Sequence, residues 1–415
     1  MKIKKVLFAR GVSAFFFDDQ RAIKMGAVHD GFVYRGRPAT PGFEAVRVAG
    51  ESVSVILVLE DGQIAAGDCA AVQYSGAGGR DSLFLAGKYL PLMERYIRPR
   101  LEGREIEGFR KMADEICALR PAGKKLHTAV QYGLSQALLD ARALALGKLK
   151  CEVICEEYEL PVIARRVPIF GQTGDNRYEN VDKMILKRVD ALPHGLINSI
   201  DEKLGRDGGR LKEYIRWLVG RIRQLRVDKK YRPVIHIDVY GTIGLLYARN
   251  LKKVAGYLAG LEKDADGFDL YIEGPVDMGS GRTQIDALRE IKRLLAAAGS
   301  PVKIVADEWC NTFEDVRDFC AAAACHMVQI KTPDLGGIQK IVESVLYCKA
   351  HGMEAYQGGT CNETEVSSRT CVHLAAAARP ELILAKPGMG FDEGFTIVNN
   401  EMERICRILK WKHER

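Results

Sequence analysis

From about Pro161 onward, short apolar runs alternate with amphipathic stretches, and each run closes on a polar residue. The runs are Val167–Gln172, Ala191–His194, Val234–Asp238, Leu270–Glu273, Val302–Asp307, Met327–Lys331, Met353–Gln357 and Leu382–Lys386. Between them lie helical stripes. Leu211, Ile215, Leu218, Ile222 and Leu225 form one, and Ile285, Leu288, Ile291 and Leu295 another, each at the spacing of a helix that buries one face. Eight strand–helix units in roughly 250 residues is the arithmetic of a (β/α)8 barrel. An open doubly wound sheet is the alternative. No GxGxxG follows any of the runs, which weakens its dinucleotide-binding form.

The first 160 residues read differently. Val53, Val55, Leu57 and Leu59 fall on one period-2 face, and Asp61-Gly62 supplies a turn signal. Helical stretches follow around Leu83–Tyr96, Ile106–Leu119 and Ala129–Leu146. Strands followed by helices predict an α+β unit. The expected organisation is an α+β capping domain over 1–160 and a catalytic (β/α)8 barrel over 161–415. Ser75-Gly-Ala-Gly-Gly lacks the lysine of a phosphate-binding loop. It suits a flexible cap loop that closes over the barrel.

Composition narrows the function classes. With 47% hydrophobic and 28% charged residues, the chain is ordinary globular protein. Uncharged apolar stretches are short, Ser54 to Leu59 among them, so no membrane span is expected. The eleven cysteines are scattered, odd in number and without a CxxC. The basic start lacks a signal-peptide core. Free thiols in a reducing, cytoplasmic compartment follow, without structural zinc. The net charge is 61 − 54 = +7, which is mild. The densest basic stretch, Arg221-Ile-Arg-Gln-Leu-Arg, reads as a solvated helix face and not as a nucleic-acid site, because no aromatic residues are interleaved.

In barrels the C-terminal strand ends carry the active site. Here those ends present Gln172, His194, Asp238, Glu273, Asp307, Lys331 and Gln357. Asp238, Glu273 and Asp307 are spaced by about one βα unit each and close three consecutive runs. Three like charges at one mouth would repel and raise at least one pKa. A divalent cation removes that repulsion, and an all-oxygen ligand set suits Mg2+. The alternative is that each acid caps the following helix. Gln329 and Lys331 share a face. An inward Lys331 beside a cation and out of water would have a lowered pKa and could act as a general base. His194 precedes the first acid by one strand and is a second candidate. His236 reads as barrel filling. Tyr356-Gln-Gly-Gly-Thr-Cys-Asn-Glu-Thr is a glycine-hinged loop whose N–H groups, with the Thr360 hydroxyl, could hold an anion.

These residues resemble the enolase superfamily and, within it, the 3-methylaspartate ammonia-lyase family. The motifs are Gly171-Gln-Thr-Gly-Asp, Leu192-Pro-His-Gly, His236-Ile-Asp-Val-Tyr-Gly, Tyr271-Ile-Glu-Gly-Pro, Ala306-Asp-Glu-Trp, Gln329-Ile-Lys-Thr-Pro-Asp-Leu-Gly-Gly and Gln357-Gly-Gly-Thr-Cys-Asn-Glu-Thr. The resemblance covers essentially the whole chain. The second run carries His194 in place of the Lys-x-Lys of lactonising enzymes and dipeptide epimerases. The resemblance implies reversible loss of ammonia from (2S,3S)-3-methylaspartate to give mesaconate, in the setting of glutamate degradation. It implies Mg2+ on Asp238, Glu273 and Asp307, Lys331 as the base at C3, and His194 on the opposite face. Gln172, Gln329, Thr360 and the backbone N–H of Cys361 match the family's contacts to the dicarboxylic amino acid. Gln73, Phe170, Tyr356 and Leu384 match the pocket near its methyl and amino groups. K+ activation and a homodimer are implied too. Competing readings are a two-base racemase or epimerase using Lys331 and His194, and a non-catalytic binding protein that keeps the fold.

Overall fold

A computed structural model describes residues 1–414. The chain opens with strands β1 (Ile3–Asp18), β2 (Val28–Asp30), β3 (Val33–Arg35), β4 (Arg47–Leu59) and β5 (Ile64–Cys69). β1, β4 and β5 form an antiparallel sheet in that order, and β2 pairs with β3 in a hairpin. The period-2 face of β4 is the buried one: Val53, Val55, Leu57 and Leu59 are all sealed from solvent. Gly62 takes a positive φ of 89° at the β4–β5 turn, a conformation that Asp61-Gly62 anticipates.

Helices Ala86–Tyr96, Phe109–Ala118 and Thr128–Leu146 follow. The first two begin later than the apolar pattern suggests. Leu85 and Gly108 sit at their N-caps with extended backbone, so Leu83, Phe84 and Ile106 are buried as extended chain. Thr128–Leu146 is buried on nearly every side. It lies so close to β5 that a Cβ on Gly133 would stand 2.5 Å from the Cys69 nitrogen. Only glycine permits that approach.

Each predicted apolar run contains one barrel strand. They are β6 (Ile169–Phe170), β7 (Ala191–His194), β8 (Val234–Asp238), β9 (Leu270–Glu273), β10 (Lys303–Ala306), β11 (Met327–Ile330), β12 (Glu354–Gln357) and β13 (Leu382–Leu384). All pairings are parallel, and β13 pairs with β6, so the sheet closes. That closure rules out the open doubly wound alternative. The predicted helix stripes face inward: Leu211, Ile215, Leu218, Ile222, Leu288, Ile291 and Leu295 are buried. The basic stretch on helix Gly209–Leu225 is an outer face whose Arg221 pairs with Asp182 and Arg223 with Asp266. All eleven cysteines are free, and ten are buried. Among the described residues no helix is long and apolar enough to cross a membrane.

The cap is stitched to the barrel by polar groups carried on the loop after β12. Lys386 and Glu363 are both fully buried and 3.0 Å apart. The lysine also donates to the Thr332 hydroxyl at 2.7 Å and the Gly358 carbonyl at 2.6 Å. From the cap, the Tyr132 hydroxyl donates to Glu363 at 3.0 Å and the Ser13 hydroxyl to Asn362 at 2.8 Å. In return, Thr364 donates to Asp68 at 2.6 Å. A buried ion pair of this kind costs stability chiefly when one member is removed. Lys386→Met should therefore lower unfolding stability by about 3–5 kcal/mol, read from the denaturant midpoint. A loss below about 1 kcal/mol would mean that the pair does not hold this seam.

Candidate active site

A cavity of about 160 Å³ lies where the cap meets the C-terminal mouth of the barrel. Strand register brings the three acids to it. Asp238 and Glu273 are direct partners at the ends of β8 and β9. Val305 of β10 is the partner of Glu273 and faces the barrel interior. Asp307, two residues on, keeps that facing one layer higher. One oxygen from each carboxylate fits within a group no wider than 4.8 Å. None of the three caps a helix: Gly241, Ser280 and Thr312 occupy the N-cap positions that follow.

Burial raises the pKa of Asp238, of Glu273 and of Asp307, and neighbouring carboxylates push each of them further up. Such a trio is stable in its charged form only with positive charge among them. The donors are all oxygens, the set a hard divalent cation prefers. Glu273 is held from below. Tyr356 donates its hydroxyl to Oε1 at 2.7 Å, the Gln329 amide donates to the same oxygen at 3.1 Å, and His236 Nε2 lies 2.8 Å from Oε2. Burial pushes His236 down to about 3, so it is a neutral donor here. His236 does fill the barrel, stacked on Phe170 at 4.3 Å, but it also aims an acid.

Lys331 follows β11 and is almost sealed from solvent. Its Nζ lies 3.1 Å from Asp307 and donates to Glu308 at 3.2 Å and to the Asn311 side chain at 2.9 Å. Set by the protein's own groups, its pKa moves up. Burial lowers it, but Asp307 and Glu308 together outweigh burial. The expected fall adds a bound cation, whose charge opposes that of these carboxylates. Glu308 is itself held at about 2, because Lys331 and Arg80 overcome the effect of its burial. Arg80 comes from the cap, directly after Ser75-Gly-Ala-Gly-Gly. It donates to Asp334 at 2.9 Å and to Glu308 at 3.2 Å. The glycine-rich loop therefore reaches the barrel mouth and delivers a cation there. Arg80, Glu308, Asn311 and Asp334 are absent from the sequence-derived site. Two had a signal: Glu308 doubles the acid at Asp307, and Asp334 belongs to the Thr-Pro-Asp-Leu-Gly-Gly motif.

His194 ends β7 with a positive φ of 66°. Its Nε2 stands 3.6 Å from Asp238, and burial pushes its pKa down to about 3. β7 and β11 are four places apart in a closed ring of eight strands, so His194 and Lys331 face each other across the mouth. Gln73, Gln172, Gln329, Thr360, Cys361 and Leu384 line the same cavity. Gln172 is fixed by donating to the Gly388 carbonyl at 2.7 Å. The Thr360 hydroxyl accepts from the Asn362 backbone at 3.2 Å. Burial pushes the Cys361 thiol up to about 12, leaving it a neutral wall group. Phe170 and Tyr356 do not line the cavity. Both are fully buried in the barrel interior beneath it, where they support His236 and Glu273.

The family models for the N-terminus and the C-terminus of methylaspartate ammonia-lyase match residues 1–159 and 161–411. Methylaspartate ammonia-lyase of Citrobacter amalonaticus is 61% identical over 412 residues, covering 99% of this chain and 100% of that one. The crystal structure of the Citrobacter amalonaticus enzyme containing (2S,3S)-3-methylaspartic acid is similar, with a TM-score of 0.98 and the same coverage. The magnesium complex of β-methylaspartase from Clostridium tetanomorphum is 52% identical, has a TM-score of 0.96, and is matched over 99% of this chain and 100% of that one. Muconate cycloisomerase from Pseudomonas fluorescens, at 14% identity, 90% and 84% coverage and a TM-score of 0.57, shares the fold alone. Sequence and structure agree over nearly the full length, and the chain belongs to the methylaspartate ammonia-lyase family.

Proposed function

We propose that this enzyme catalyses the reversible elimination of ammonia from (2S,3S)-3-methylaspartate, giving mesaconate. One observation carries the reading: a trio of buried carboxylates between Lys331 and His194, which face each other across a small cavity. The cap over 1–160 closes that cavity and the barrel over 161–415 supplies the chemistry.

The C3 proton is weakly acidic, because its removal piles negative charge onto the neighbouring carboxylate. Asp238, Glu273 and Asp307 would hold Mg2+, which when bound would supply positive charge to offset that build-up. Lys331, as the free amine, accepts the C3 proton. The C3–H and C2–N bonds break, the C2=C3 bond forms, and the nitrogen leaves with its bonding pair as ammonia. Protonated Lys331 then stays beside Glu308 and Asn311, which stabilise its charge. His194 faces the other side of C3 and serves the epimer of opposite C3 configuration. Gln172, Gln329, Thr360 and the Cys361 N–H hold the carboxylates in register, so the proton to be lost points at the base. Leu384 and Gln73 bound the methyl and amino groups. Phe170 and Tyr356 act one layer deeper, by keeping His236 and Glu273 in place. The reading includes activation by K+, a homodimer and a cytoplasmic setting, each supported by the family resemblance. Potassium titration and sedimentation test the first two.

With (2S,3S)-3-methylaspartate, Mg2+ and K+, absorbance in the ultraviolet should rise as the conjugated dicarboxylate forms, and EDTA should abolish the rise. Epimerised substrate without any alkene would replace the lyase reading by the two-base racemase. Lys331→Ala should cut turnover of this substrate by about a thousandfold or more, the scale of a lost general base, while the unfolding midpoint stays within a few degrees. His194→Ala should depress turnover of the (2S,3R) epimer far more than that of the (2S,3S) substrate. Equal losses on both epimers would overturn the division of labour between the two bases.

A further inference from the structure

We propose that Asp18 and Arg47, an ion pair in the cap, are positioning residues that fix the Gln73 amide so that it offers its oxygen to the cavity. The inference rests on the reading above, in which the cavity takes a substrate bearing an ammonium group.

Asp18 closes β1, Arg47 opens β4, and the two are register partners in the cap sheet. Asp18 is fully buried, and the Arg47 side chain is only 9% exposed. Arg47 grips both carboxylate oxygens, Nε to Oδ1 at 2.6 Å and Nη2 to Oδ2 at 2.8 Å. Its remaining nitrogen, Nη1, donates to the Phe32 carbonyl at 2.8 Å. Rings surround the guanidinium, with Phe32 at 4.7 Å and Tyr34 at 5.0 Å. Arg47 lines the cavity, and a buried arginine there invites assignment as a clamp for a substrate carboxylate. Each of its three nitrogens already donates within the cap, and rings cage its plane. It acts on Asp18 instead.

Asp18 acts in turn on Gln73. The Gln73 amide nitrogen donates to Asp18 Oδ2 at 2.6 Å. A carboxylate accepts and cannot donate, so the nitrogen must face it and the oxygen must face away. That oxygen is turned toward Cys361, whose thiol lies 3.6 Å from it and is a weak donor. The backbone of Gln73 is pinned at both ends: its N–H donates to the Thr360 hydroxyl at 3.3 Å, and its carbonyl accepts from the Asp18 N–H at 2.9 Å. The remaining freedom of the amide is to turn over, and the charge on Asp18 decides which way. An acceptor at this wall attracts an ammonium and repels a carboxylate. The same side chain turned over would do the reverse. The polarity of this part of the cavity is thus set outside the cavity, by a residue that does not line it.

Asp18→Asn keeps the shape and replaces one acceptor by a donor. Arg47 claims the remaining oxygen, so the new NH2 faces Gln73 and the amide turns over. The test measures amine addition to mesaconate by the full-length, Mg2+-saturated enzyme, with ammonium and mesaconate varied separately. Asp18→Asn should raise the KM for ammonium about tenfold or more, the scale of a mismatched buried polar contact, and leave the KM for mesaconate within about twofold. Gln73→Ala should raise the ammonium KM comparably, and the double variant should match Gln73→Ala alone. A further rise when Asp18→Asn is added to Gln73→Ala, or an equal rise in the mesaconate KM, overturns the proposal, since Asp18 would then act on the cap at large. If Asp18→Asn does not fold, Arg47→Lys takes its place: it keeps the charge but cannot grip both oxygens. A smaller rise confined to the ammonium KM supports the proposal, and an unchanged ratio of the two KM values overturns it. No amine addition by the unaltered enzyme overturns the reading of the site beneath it, a separate outcome.

Discussion

Three carboxylates crowded into a dry barrel mouth cannot all stay charged on their own, and much of the surrounding structure answers that constraint. Tyr356, Gln329 and His236 supply hydrogen bonds to Glu273 from within the barrel. The Tyr240 N–H supplies one to Asp238 at 2.9 Å. Lys331 stands against Asp307. These groups orient the oxygens and offset part of the cost of burial, but they leave the carboxyls with raised pKa values. The residual imbalance leaves the mouth suited to a hard cation.

A second layer of charge surrounds the base. Lys331, Glu308, Arg80 and Asp334 alternate in sign along a chain of ion pairs. Arg80 belongs to the cap and the rest to the barrel, so seating of the cap and the surroundings of the amine are coupled through direct ion pairs. The loop after β12 is bound in a comparable way. Gly359 has a φ of 136°, and a Cβ there would stand 2.5 Å from the Lys386 ammonium. The loop that carries Thr360 and Cys361 is therefore pressed against the Lys386–Glu363 pair, with no room for another residue at its hinge.

Much of this was legible in the sequence because barrel strands alternate in facing and end at the site. All eight apolar runs became strands, and the polar residue closing each run sits on the last paired residue, as Asp238 and Glu273 do, or just beyond it, as Asp307 and Lys331 do. Period-2 reasoning also put Gln329 and Lys331 on one face. It does not give depth. Phe170 and Tyr356, which the family resemblance assigns to the pocket, share faces with cavity residues yet lie one layer below them, and alternation alone does not say how far up a strand the mouth begins. It also missed Arg80, Asn311 and Asp334. Those residues reach the site from loops and from the cap, and their partners lie more than 200 positions away in sequence for Arg80. Glu308 was missed for the same reason: it turns inward to meet Lys331, which no strand periodicity dictates past the end of a strand.

The Asn362–Thr364 segment bonds to β1, to β5 and to helix Thr128–Leu146, elements separated by most of the cap. This has a consequence for how such proteins can diverge. A barrel recombined with a relative's cap inherits half of each hydrogen bond, and its buried carboxylates and hydroxyls would meet partners shaped for another loop. The heritable unit is the seam. Substitutions along it must arrive in compensating pairs drawn from both ends of the gene, whereas the outer barrel helices, with their exposed ion pairs, are free to drift one residue at a time.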